Sequence, residues 1–462
     1  MENGALESNS SVGNLPFLRD RRVLILISVI LFSRLVLVSI GAQYGSLKGD
    51  DGHRYLATGY NIATYHVFSS EIDIKPGQHP APTAHDMPVY PTILALLIII
   101  TGGVILATKV ASFINALFFT LAALGVFYLT LEFSKNRLSA SIAMIVFGFL
   151  PEGLAYSVFY QPDSLFLACF VWSNVFLINY IRQGRAGHMI ICFGLLGLSI
   201  IVKPIAIFYA VAATAYILFF GQSRGLKERL ICLAGSLFLL VLILSPWLIR
   251  NYNTFGTPGL TTIGGYNLFY GNYRMMLIDK LGSGARGIVE KKEQETASQF
   301  GSRWLNPFVK SKALERVAKR EILANMPQYI VTLAKRHWRL YLGTGTPQLL
   351  SLLGDQKSFK ALSEFGSHPT MQTLKQVPFY SLVLQCVMWL ILFAAYLFAA
   401  LGVYAAIRNR DWLTLGFVFL TLGYFALIIG PVVQTRYRLC MAPYLSVLAG
   451  YAWLRIGHHE PT

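Results

Sequence analysis

Residues 19–41, RDRRVLILISVILFSRLVLVSIG, decide the fold class of this chain. The run from Val23 to Gly41 is almost entirely apolar, and about 20 such residues in an α-helix cross the hydrocarbon core of a bilayer. Arginines precede the run, and short segments rich in Arg and Lys stay on the cytoplasmic side of a membrane. The stretch therefore predicts an uncleaved membrane span that enters from the cytoplasm, so that the residues after Gly41 emerge on the outer side.

The composition extends this interpretation to the whole chain. Hydrophobic residues make up 55% of the 462 residues and charged residues only 13%, with a mean hydropathy of +0.53. These values are typical of a polytopic membrane protein and not of a soluble enzyme. The net charge of +17 is expected to serve orientation and headgroup contact, so no nucleic acid partner is expected. The five cysteines lie in apolar runs without a CxxC pair, so neither a disulfide framework nor a zinc site is indicated.

The apolar stretches predict an all-α polytopic protein with about ten transmembrane helices and juxtamembrane helices on its outer face. Ten stretches are assigned as spans: Val23–Gly41, Lys109–Leu131, Leu138–Leu150, Tyr160–Ile181, Met189–Val202, Ile205–Phe220, Leu230–Ile249, Phe379–Ile407, Leu413–Ile429 and Leu439–Leu454. Three of these are short for a full span, which needs about 20 residues: Leu138–Leu150, Met189–Val202 and Ile205–Phe220.

An eleventh apolar stretch, Pro88–Leu106, is expected to lie along the outer interface rather than cross the membrane. If it crossed, several short basic loops would face outward, against the positive-inside rule: Lys135/Arg137, Arg182/Arg185 and Arg224/Lys227/Arg229. Placing the stretch at the interface makes all of these loops cytoplasmic, together with Arg408 and Arg410.

This topology divides the chain into four parts. Residues 1–22 form a cytoplasmic tail, residues 23–249 a transmembrane core with a first outer loop at 42–108, residues 250–378 a large outer basic loop, and residues 379–462 the C-terminal transmembrane helices. The basic loop holds 18 Lys or Arg against 8 Asp or Glu. Within it, Ser311 to Leu342 predicts amphipathic helices on the lipid surface, interrupted at Pro327. The functional residues are therefore expected on the outer side.

Acidic residues occur where the chain reaches that side. Asp50 and Asp51 lie in Gly49-Asp50-Asp51-Gly52-His53-Arg54-Tyr55, directly after the first span, and Asp163 begins another span there. A structural interpretation is open for each: the pair can be part of a solvated loop, and Asp163 can be the N-cap of its helix. Glu152 adds a further acid of lower weight. Lys203 either reaches toward headgroups or receives a phosphate.

Three further strings carry sequence-specific information. They are Ser245-Pro246-Trp247-Leu248-Ile249-Arg250-Asn251-Tyr252, Thr261-Thr262-Ile263-Gly264-Gly265-Tyr266-Asn267-Leu268-Phe269-Tyr270-Gly271-Asn272 and Arg436-Tyr437-Arg438. With the layout from Val23 to Leu454, they resemble the GT-C superfamily of polyprenyl-phosphate-sugar-dependent glycosyltransferases. The resemblance is to the family 39 relatives, which include protein O-mannosyltransferases and the lipid A aminoarabinose transferase, and to their bacterial branch.

The resemblance implies roles for particular residues. Asp51, four residues before Tyr55, resembles the acid of the family's first outer loop that serves as the catalytic acid-base residue, and fits the D-x-x-x-Y spacing better than Asp50. Asp163 resembles a second carboxylate of the family, and Lys203 a cation near the donor phosphate. These correspondences predict Asp51, Asp50 and Asp163 as catalytic candidates, with Asp51 as the expected general base.

One loop departs from the family pattern. Pro82-Thr83-Ala84-His85-Asp86-Met87-Pro88-Val89-Tyr90-Pro91 resembles the Pro-rich entry to the family's juxtamembrane helix. Some relatives carry Lys where this chain has Met87, which weakens a phosphate contact from this loop and leaves Asp86 as a partner.

The implied reaction transfers a sugar from a polyprenyl-phosphate carrier to a hydroxyl of an acceptor, with inversion implied by the family and retention left open. A base takes the acceptor's proton while cations hold the charge that gathers on the leaving phosphate. The candidate phosphate ligands are Lys203, Arg250, Arg436, Arg438 and Arg54, each with headgroup anchoring as its alternative. The candidate substrate-loop residues are Tyr55, Asp86, Tyr90, Asn267 and Asn272.

The partners expected from this assignment are membrane lipid, the lipid-linked donor, and an acceptor that is a glycolipid, a polysaccharide or a protein. No cofactor besides the lipid-linked sugar is expected. A divalent metal is the minor alternative, because His53, His66, His79 and His85 match no standard ligand spacing. The expected location is the bacterial inner membrane, with the active site of a hexosyl- or pentosyltransferase on the outer side, acting in glycan or lipopolysaccharide modification.

Two other classes of function stay open. A transporter or flippase of lipid-linked glycans predicts charged groups near the middle of the membrane, where Arg34 is the exception in a chain whose ionisable residues otherwise cluster near span ends. A non-catalytic scaffold predicts no concentration of acids at one membrane surface.

Overall fold

The structure, a computed structural model, describes residues 20–75, 77–221, 225–367 and 370–456. Those residues form helices joined by loops and contain no strand, so the predicted all-α class is confirmed. The predicted cytoplasmic tail falls mostly on residues 1–19, which lie outside the described residues.

The helices follow the predicted apolar stretches closely. The core and its first outer loop contain α1 (Arg21–Tyr44), α2 (Gly52–Tyr65), α3 (Val89–Thr101), α4 (Val104–Ser134), α5 (Arg137–Phe149), α6 (Pro151–Tyr156), α7 (Asp163–Gln183), α8 (Ala186–Val202), α9 (Tyr209–Phe220) and α10 (Leu226–Phe255). Residues 250–378, the predicted outer loop, contain α11 (Ile263–Tyr266), a π-helical turn (Asn267–Tyr273), α12 (Arg274–Leu281), α13 (Ala285–Phe300), α14 (Pro307–Ala324), α15 (Met326–Leu342), α16 (Thr346–Leu352), α17 (Gln356–Ser367) and α18 (Met371–Gln376). The C-terminal part contains α19 (Phe379–Arg408), α20 (Trp412–Ile428), α21 (Thr435–Arg438) and α22 (Ala442–Ile456).

Five of these helices are long and apolar enough to cross a membrane: α1, α4, α7, α10 and α19. Four of the other predicted spans are shorter apolar helices, α5, α8, α9 and α20, and the last predicted span coincides with α22, which has 15 residues. The chain is therefore a multi-pass membrane protein. Helix α3, which the charge pattern excludes as a span, has 13 residues. Helix α5 has the same length, so the placement of α3 along the interface rests on the charge pattern and stays a prediction.

The bundle has two chemically different ends. Asp50, Asp51 and Asp163 lie together at one end, where the C-terminus of α1 and the N-terminus of α7 meet. At the opposite end, Arg137 contacts Asp20 at 3.1 Å beside the first residues of α1 and α5. The basic groups that predict the cytoplasmic side and the acids that predict the outer side thus lie at different ends of the bundle.

Close helix packing holds the bundle together. Helices α19 and α22 approach at Gly402, where a Cβ atom would lie 1.9 Å from the carbonyl oxygen of Leu448, so that only glycine fits. Small residues at such contacts are typical of membrane helices, which gain little hydrophobic driving force from one another. In the middle of the bundle, Asn174 hydrogen-bonds Tyr209 at 2.7 Å and Tyr444 at 2.9 Å, which satisfies these buried polar groups.

The predicted outer loop has its own small core, separate from that of the bundle. It is formed by Phe269, Tyr273, Met276, Leu277, Ala285, Val289, Leu314, Ala318 and Ile322. Helices α14 and α15 part at Asn325, so the predicted interruption of the amphipathic segment near Pro327 is confirmed. Leu323, Ile330 and Trp338 are exposed on these two helices. Their contact with the lipid surface stays a prediction.

Candidate active site

The turn after α1 places the acidic pair. Gly49 has a φ of +61°, and a Cβ atom there would lie 2.2 Å from the side-chain nitrogen of Gln161, so a glycine is required at this position. The Gln161 amide donates to the carbonyl of Lys48 at 3.3 Å, and the Tyr160 N–H donates to Leu47 at 3.1 Å. These bonds fasten the loop that carries Asp50 and Asp51 to the segment that leads into α7.

Asp163 lies at the centre of a buried charge network. It is the first residue of α7, and one of its carboxylate oxygens accepts from Lys203 at 2.8 Å while the other accepts from Arg436 at 2.9 Å. Asp163 and Arg436 have side chains only 2% and 3% exposed. The N-cap residue of α7 is Pro162, so Asp163 is not the helix cap, although it lies in the first turn of that helix. Two distant parts of the chain therefore converge on this one carboxylate.

Arg436 connects this network to the acidic pair. Its guanidinium also donates to Asp51 at 2.5 Å. The second oxygen of Asp51 faces Arg54 at 3.4 Å, and Arg54 makes a two-pronged bond to Asp86 at 2.8 and 3.0 Å. The result is a continuous alternation of positive and negative groups from Lys203 to Asp86.

Asp50 has a different environment from its neighbour. It is exposed, and its carboxylate accepts one hydrogen bond, from the hydroxyl of Tyr156 at 3.2 Å. Tyr156 is buried and ends the short helix α6. Neither an Arg nor a Lys makes an ion pair with Asp50 among the residues that the structure describes. One of its two carboxylate oxygens thus faces away from the protein's own hydrogen bonds.

The pKa values of the two neighbours shift in opposite directions. Desolvation, together with the charges of Asp51 and Asp163, raises the pKa of Asp50 above its ordinary value, against the lowering effects of Arg436 and the Tyr156 hydroxyl. Desolvation acts on Asp51 in the same sense, but Arg436 and Arg54 outweigh it, so the pKa of Asp51 is lowered. Asp51 is therefore a weak proton acceptor held between two cations, whereas Asp50 binds a proton more readily.

Two of the predicted phosphate ligands lie outside this network. Arg438 is completely buried and is paired with Glu152 at 2.7 Å, so it presents no surface to a ligand. Arg250 donates to the carbonyl of Thr83 at 2.8 Å, and its guanidinium lies 4.9 Å from the ring centre of Trp247. Both arginines hold parts of the chain together. The structure brings Lys203, Arg54 and Arg436 to the carboxylates, but not these two.

Some of the predicted substrate-loop residues lie near the charge network and others lie away from it. Tyr55 and Tyr90 are buried against each other with ring centres 5.8 Å apart, close to the pair formed by Arg54 and Asp86. Asn272 accepts a hydrogen bond from Tyr329 at 3.2 Å and lies against Gly430, while Asn267 is exposed. The two asparagines thus lie in the π-helical turn Asn267–Tyr273 and make no hydrogen bond to the carboxylates.

Two residues that hold the site were missed by the sequence reasoning. Tyr156 has no motif that distinguishes it from the other 23 tyrosines of the chain. Asn115 is a polar residue inside an apolar span, which is a detectable signal. Its amide donates to the carbonyls of Phe159 and Gln161 at 2.6 and 2.9 Å, and so it fixes the segment in front of Asp163.

Across the described ranges of the chain, no group of three or more His, Cys, Asp or Glu side chains is arranged to hold a metal ion. The chemistry that the arrangement supports directly is that of carboxylates and cations. An acid that accepts a proton, next to a lysine and arginines that stabilise an anion, can serve a transfer in which a proton leaves one group and negative charge develops on another.

Comparison with a family model supports the resemblance drawn from the sequence. Residues 78–249 match the model of dolichyl-phosphate-mannose-protein mannosyltransferase, which is a GT-C family, so the predicted resemblance is confirmed over that range. The range is just over a third of the chain, and it includes Asp86, Asp163 and Lys203. A comparison with curated proteins gave no match.

Solved structures with a similar arrangement of helices include two proteins described as follows. The archaeal oligosaccharyltransferase AglB from Archaeoglobus fulgidus, in complex with an inhibitory peptide and a dolichol-phosphate, has a TM-score of 0.47 and 16% identity, over 91% of this chain and 50% of that protein. ArnT from Cupriavidus metallidurans, bound to undecaprenyl phosphate, has a TM-score of 0.41 and 14% identity, over 93% of this chain and 76% of that protein. The chain thus spans about half the length of the archaeal protein.

Proposed function

We propose that this protein is a membrane glycosyltransferase that moves a hexose or pentose from a polyprenyl-phosphate carrier to a hydroxyl of an acceptor. The observation that carries the proposal is the network in which Asp50, Asp51 and Asp163 meet Lys203 and Arg436 at one end of an apolar bundle. The family match over residues 78–249 supports it. The proposed site faces the outer side of a bacterial inner membrane, and the acceptor is a glycolipid, a polysaccharide or a protein.

The proposed reaction is a direct displacement. The acceptor oxygen forms a bond to the anomeric carbon of the sugar, and the bond from that carbon to the phosphate oxygen breaks with its electron pair. The acceptor's proton passes to a carboxylate, and the polyprenyl phosphate leaves with its full negative charge. Inversion at the anomeric carbon follows from a single displacement. A lipid-linked donor suits the site, because the polyprenyl chain stays in the bilayer while the phosphate lies at the end of the bundle.

We assign the base to Asp50 rather than to Asp51. Both oxygens of Asp51 face cations, at 2.5 Å from Arg436 and 3.4 Å from Arg54, so neither is free to accept the proton of an acceptor hydroxyl. Asp50 is exposed, and it has a hydrogen bond from the protein at only one oxygen. A general base must lie within hydrogen-bond reach of the proton that it removes. Asp51 then serves to hold Arg436 and Arg54 in place.

Lys203 is the proposed ligand of the donor phosphate. Its ammonium group donates to Asp163, and the other two N–H donors of the group are available for phosphate oxygens. Lys203→Gln is expected to raise the donor KM by about 10- to 100-fold, since a hydrogen bond to a charged group contributes roughly 1.5–3 kcal/mol. A donor concentration series measures this effect, and Lys203→Arg should recover part of it. An unchanged KM in Lys203→Gln would show that another cation binds the phosphate.

The rate of transfer is expected to depend on pH through Asp50. The base works only when it is ionised, so kcat/KM should be full above the Asp50 pKa and fall as the pH drops through it. Because desolvation raises this pKa, the acid limb should lie above the ordinary value of about 3.9 for Asp. A pH profile of kcat/KM checks the expectation. An acid limb at or below that value would favour Asp51, whose pKa is lowered.

The flippase alternative finds little support in the interior of the bundle. Arg34 is fully buried in α1, where it donates to the carbonyl of Gly148 and lies 4.9 Å from the ring centre of Phe119. It thus satisfies a carbonyl at the C-terminus of α5, where Pro151 keeps Leu150 out of the helical conformation. This is a structural role rather than a step in a path for charged sugars.

The proposal is tested with membranes that contain the protein and with a panel of synthetic polyprenyl-phosphate sugars, each labelled in the sugar. Membranes from cells without the protein are the matched control, and extracts of glycolipid, polysaccharide and protein are the acceptors. The expected result is protein-dependent movement of label from one donor into one acceptor fraction, which identifies both. The absence of transfer from every donor by folded protein would contradict the proposal.

A further inference from the structure

The pair Glu152–Arg438 is fully buried beside the site and has no part in the proposed chemistry. The Arg438 guanidinium makes two parallel bonds to the Glu152 carboxylate, at 2.9 and 2.7 Å, and both side chains are 0% exposed. The remaining nitrogen of the guanidinium donates to the carbonyls of Leu340 and Tyr341 at 3.0 and 2.8 Å. The pair is therefore satisfied on every side by protein, and it cannot contact a donor or an acceptor.

Each partner shares a short helix with a residue of the site. Glu152 and Tyr156 lie four residues apart on α6, whose last residue donates to Asp50. Arg438 and Arg436 lie two residues apart on α21, from which Arg436 reaches Asp51 and Asp163. Helices α6 and α21 are short, with six and four residues, so neither is held by its own length. The Glu152–Arg438 pair is the bond that ties these two short helices to each other.

We propose that Glu152 and Arg438 are positioning residues, which set the distance between Tyr156 on one side of the acidic pair and Arg436 on the other. The proposal rests on the proposed function. It explains why charged groups occur at a place where apolar side chains would pack at least as well. A buried ion pair can often be replaced by apolar residues of similar size without loss of stability, so stability alone does not account for its presence.

Replacing the Glu152–Arg438 pair by apolar residues tests the proposal. The double variant Glu152→Leu/Arg438→Met keeps the volume of the pair and removes its geometry. It is expected to unfold at a temperature close to wild type, to keep its donor KM and to lose about 100-fold in kcat, the size of effect that a displacement of about 1 Å in an active site can have. A double variant with the wild-type kcat would overturn the proposal.

A second measurement does not depend on activity. Asp50 is faced by Tyr156, Arg436, Asp51 and Asp163. Tyr156 and Arg436 both favour its ionised form, so their displacement should make it harder to ionise. Carbodiimide modifies protonated carboxyl groups, and the labelling of the exposed Asp50 can be followed by mass spectrometry as a function of pH. In the double variant the midpoint is expected to move upward by about one pH unit, which corresponds to roughly one hydrogen bond.

Controls separate positioning from general damage. Tyr451→Phe removes a 2.7 Å hydrogen bond to Asp411 at the opposite end of the bundle and should move neither kcat nor the labelling midpoint. If the double variant does not fold, Arg438→Lys, which keeps the charge but not the two-pronged bond, should show the same two changes on a smaller scale. An unchanged midpoint in the folded variant overturns the inference, whereas absent transfer by wild-type protein contradicts only the proposed function.

Discussion

Replacing Asp50 by Asn is expected to lower kcat for sugar transfer by about 10²- to 10⁴-fold, the usual contribution of a general base. The amide keeps the shape of the carboxylate and can still accept the hydrogen bond from Tyr156. Because Asp50 is exposed and no Arg or Lys of the described residues pairs with it, the substitution should leave the unfolding temperature close to that of wild type. Initial rates of transfer at saturating donor, with a thermal melt of the same purified protein, measure both quantities.

Asp51→Asn is the matched comparison, since it changes the neighbouring carboxylate in the same way. It weakens the bonds to Arg436 and Arg54, so we expect a lower unfolding temperature. Any residual activity should keep the acid limb of the pH profile, because Asp50 is still present. The assignment of the base would be reversed if Asp51→Asn removed the acid limb and Asp50→Asn retained both it and the rate.

Arg436→Leu is expected to abolish transfer and to lower the free energy of unfolding by about 3–5 kcal/mol. Arg436 is 3% exposed and neutralises Asp163, which is 2% exposed, so its loss leaves a buried carboxylate with Lys203 as its remaining partner. Removing one member of a buried ion pair is strongly destabilising, because the other charge stays desolvated. Thermal unfolding of the purified protein in one fixed lipid and detergent mixture measures the loss of stability.

Arg336→Leu serves as the control for this variant. Arg336 of α15 is paired with Asp279 of α12, but its side chain is 20% exposed and it makes no ion pair with the site carboxylates. A smaller loss of stability and retained transfer are therefore expected. An Arg436→Leu protein that unfolds at the wild-type temperature and transfers sugar would show that Arg436 does not organise the site.

Much of the architecture follows from charge and hydropathy in the sequence. Arg137 and the other short basic loops predict which helix ends lie at the Asp20 end of the bundle and which lie at the Asp163 end. The structure has that arrangement. The exclusion of Pro88–Leu106 as a span rests on the same charges and stays a prediction. The charge near one end of a span determines the side of the membrane on which that end lies. Because the helix crosses the membrane, it also determines the side of the other end.

The choice of partners within the site could not be predicted in this way. Arg436 and Arg438 lie on either side of Tyr437, yet one joins the site carboxylates and the other is buried with Glu152. Residues two apart on a helical turn point to different sides, and which side faces the site depends on how α21 packs. Tyr156 was missed for a similar reason, since its contact with Asp50 joins residues 106 positions apart.

The most direct test of the central claim is the chemical fate of the donor in proteoliposomes that contain purified protein, a polyprenyl-phosphate sugar labelled in both sugar and lipid, and the acceptor fraction identified with membranes. The account predicts that one polyprenyl phosphate is released for each sugar transferred, and that Asp50→Asn slows both by the same factor. Labelled donor that moves between the two leaflets with its sugar still attached, at the same rate in wild type and Asp50→Asn, would contradict the account and identify a flippase.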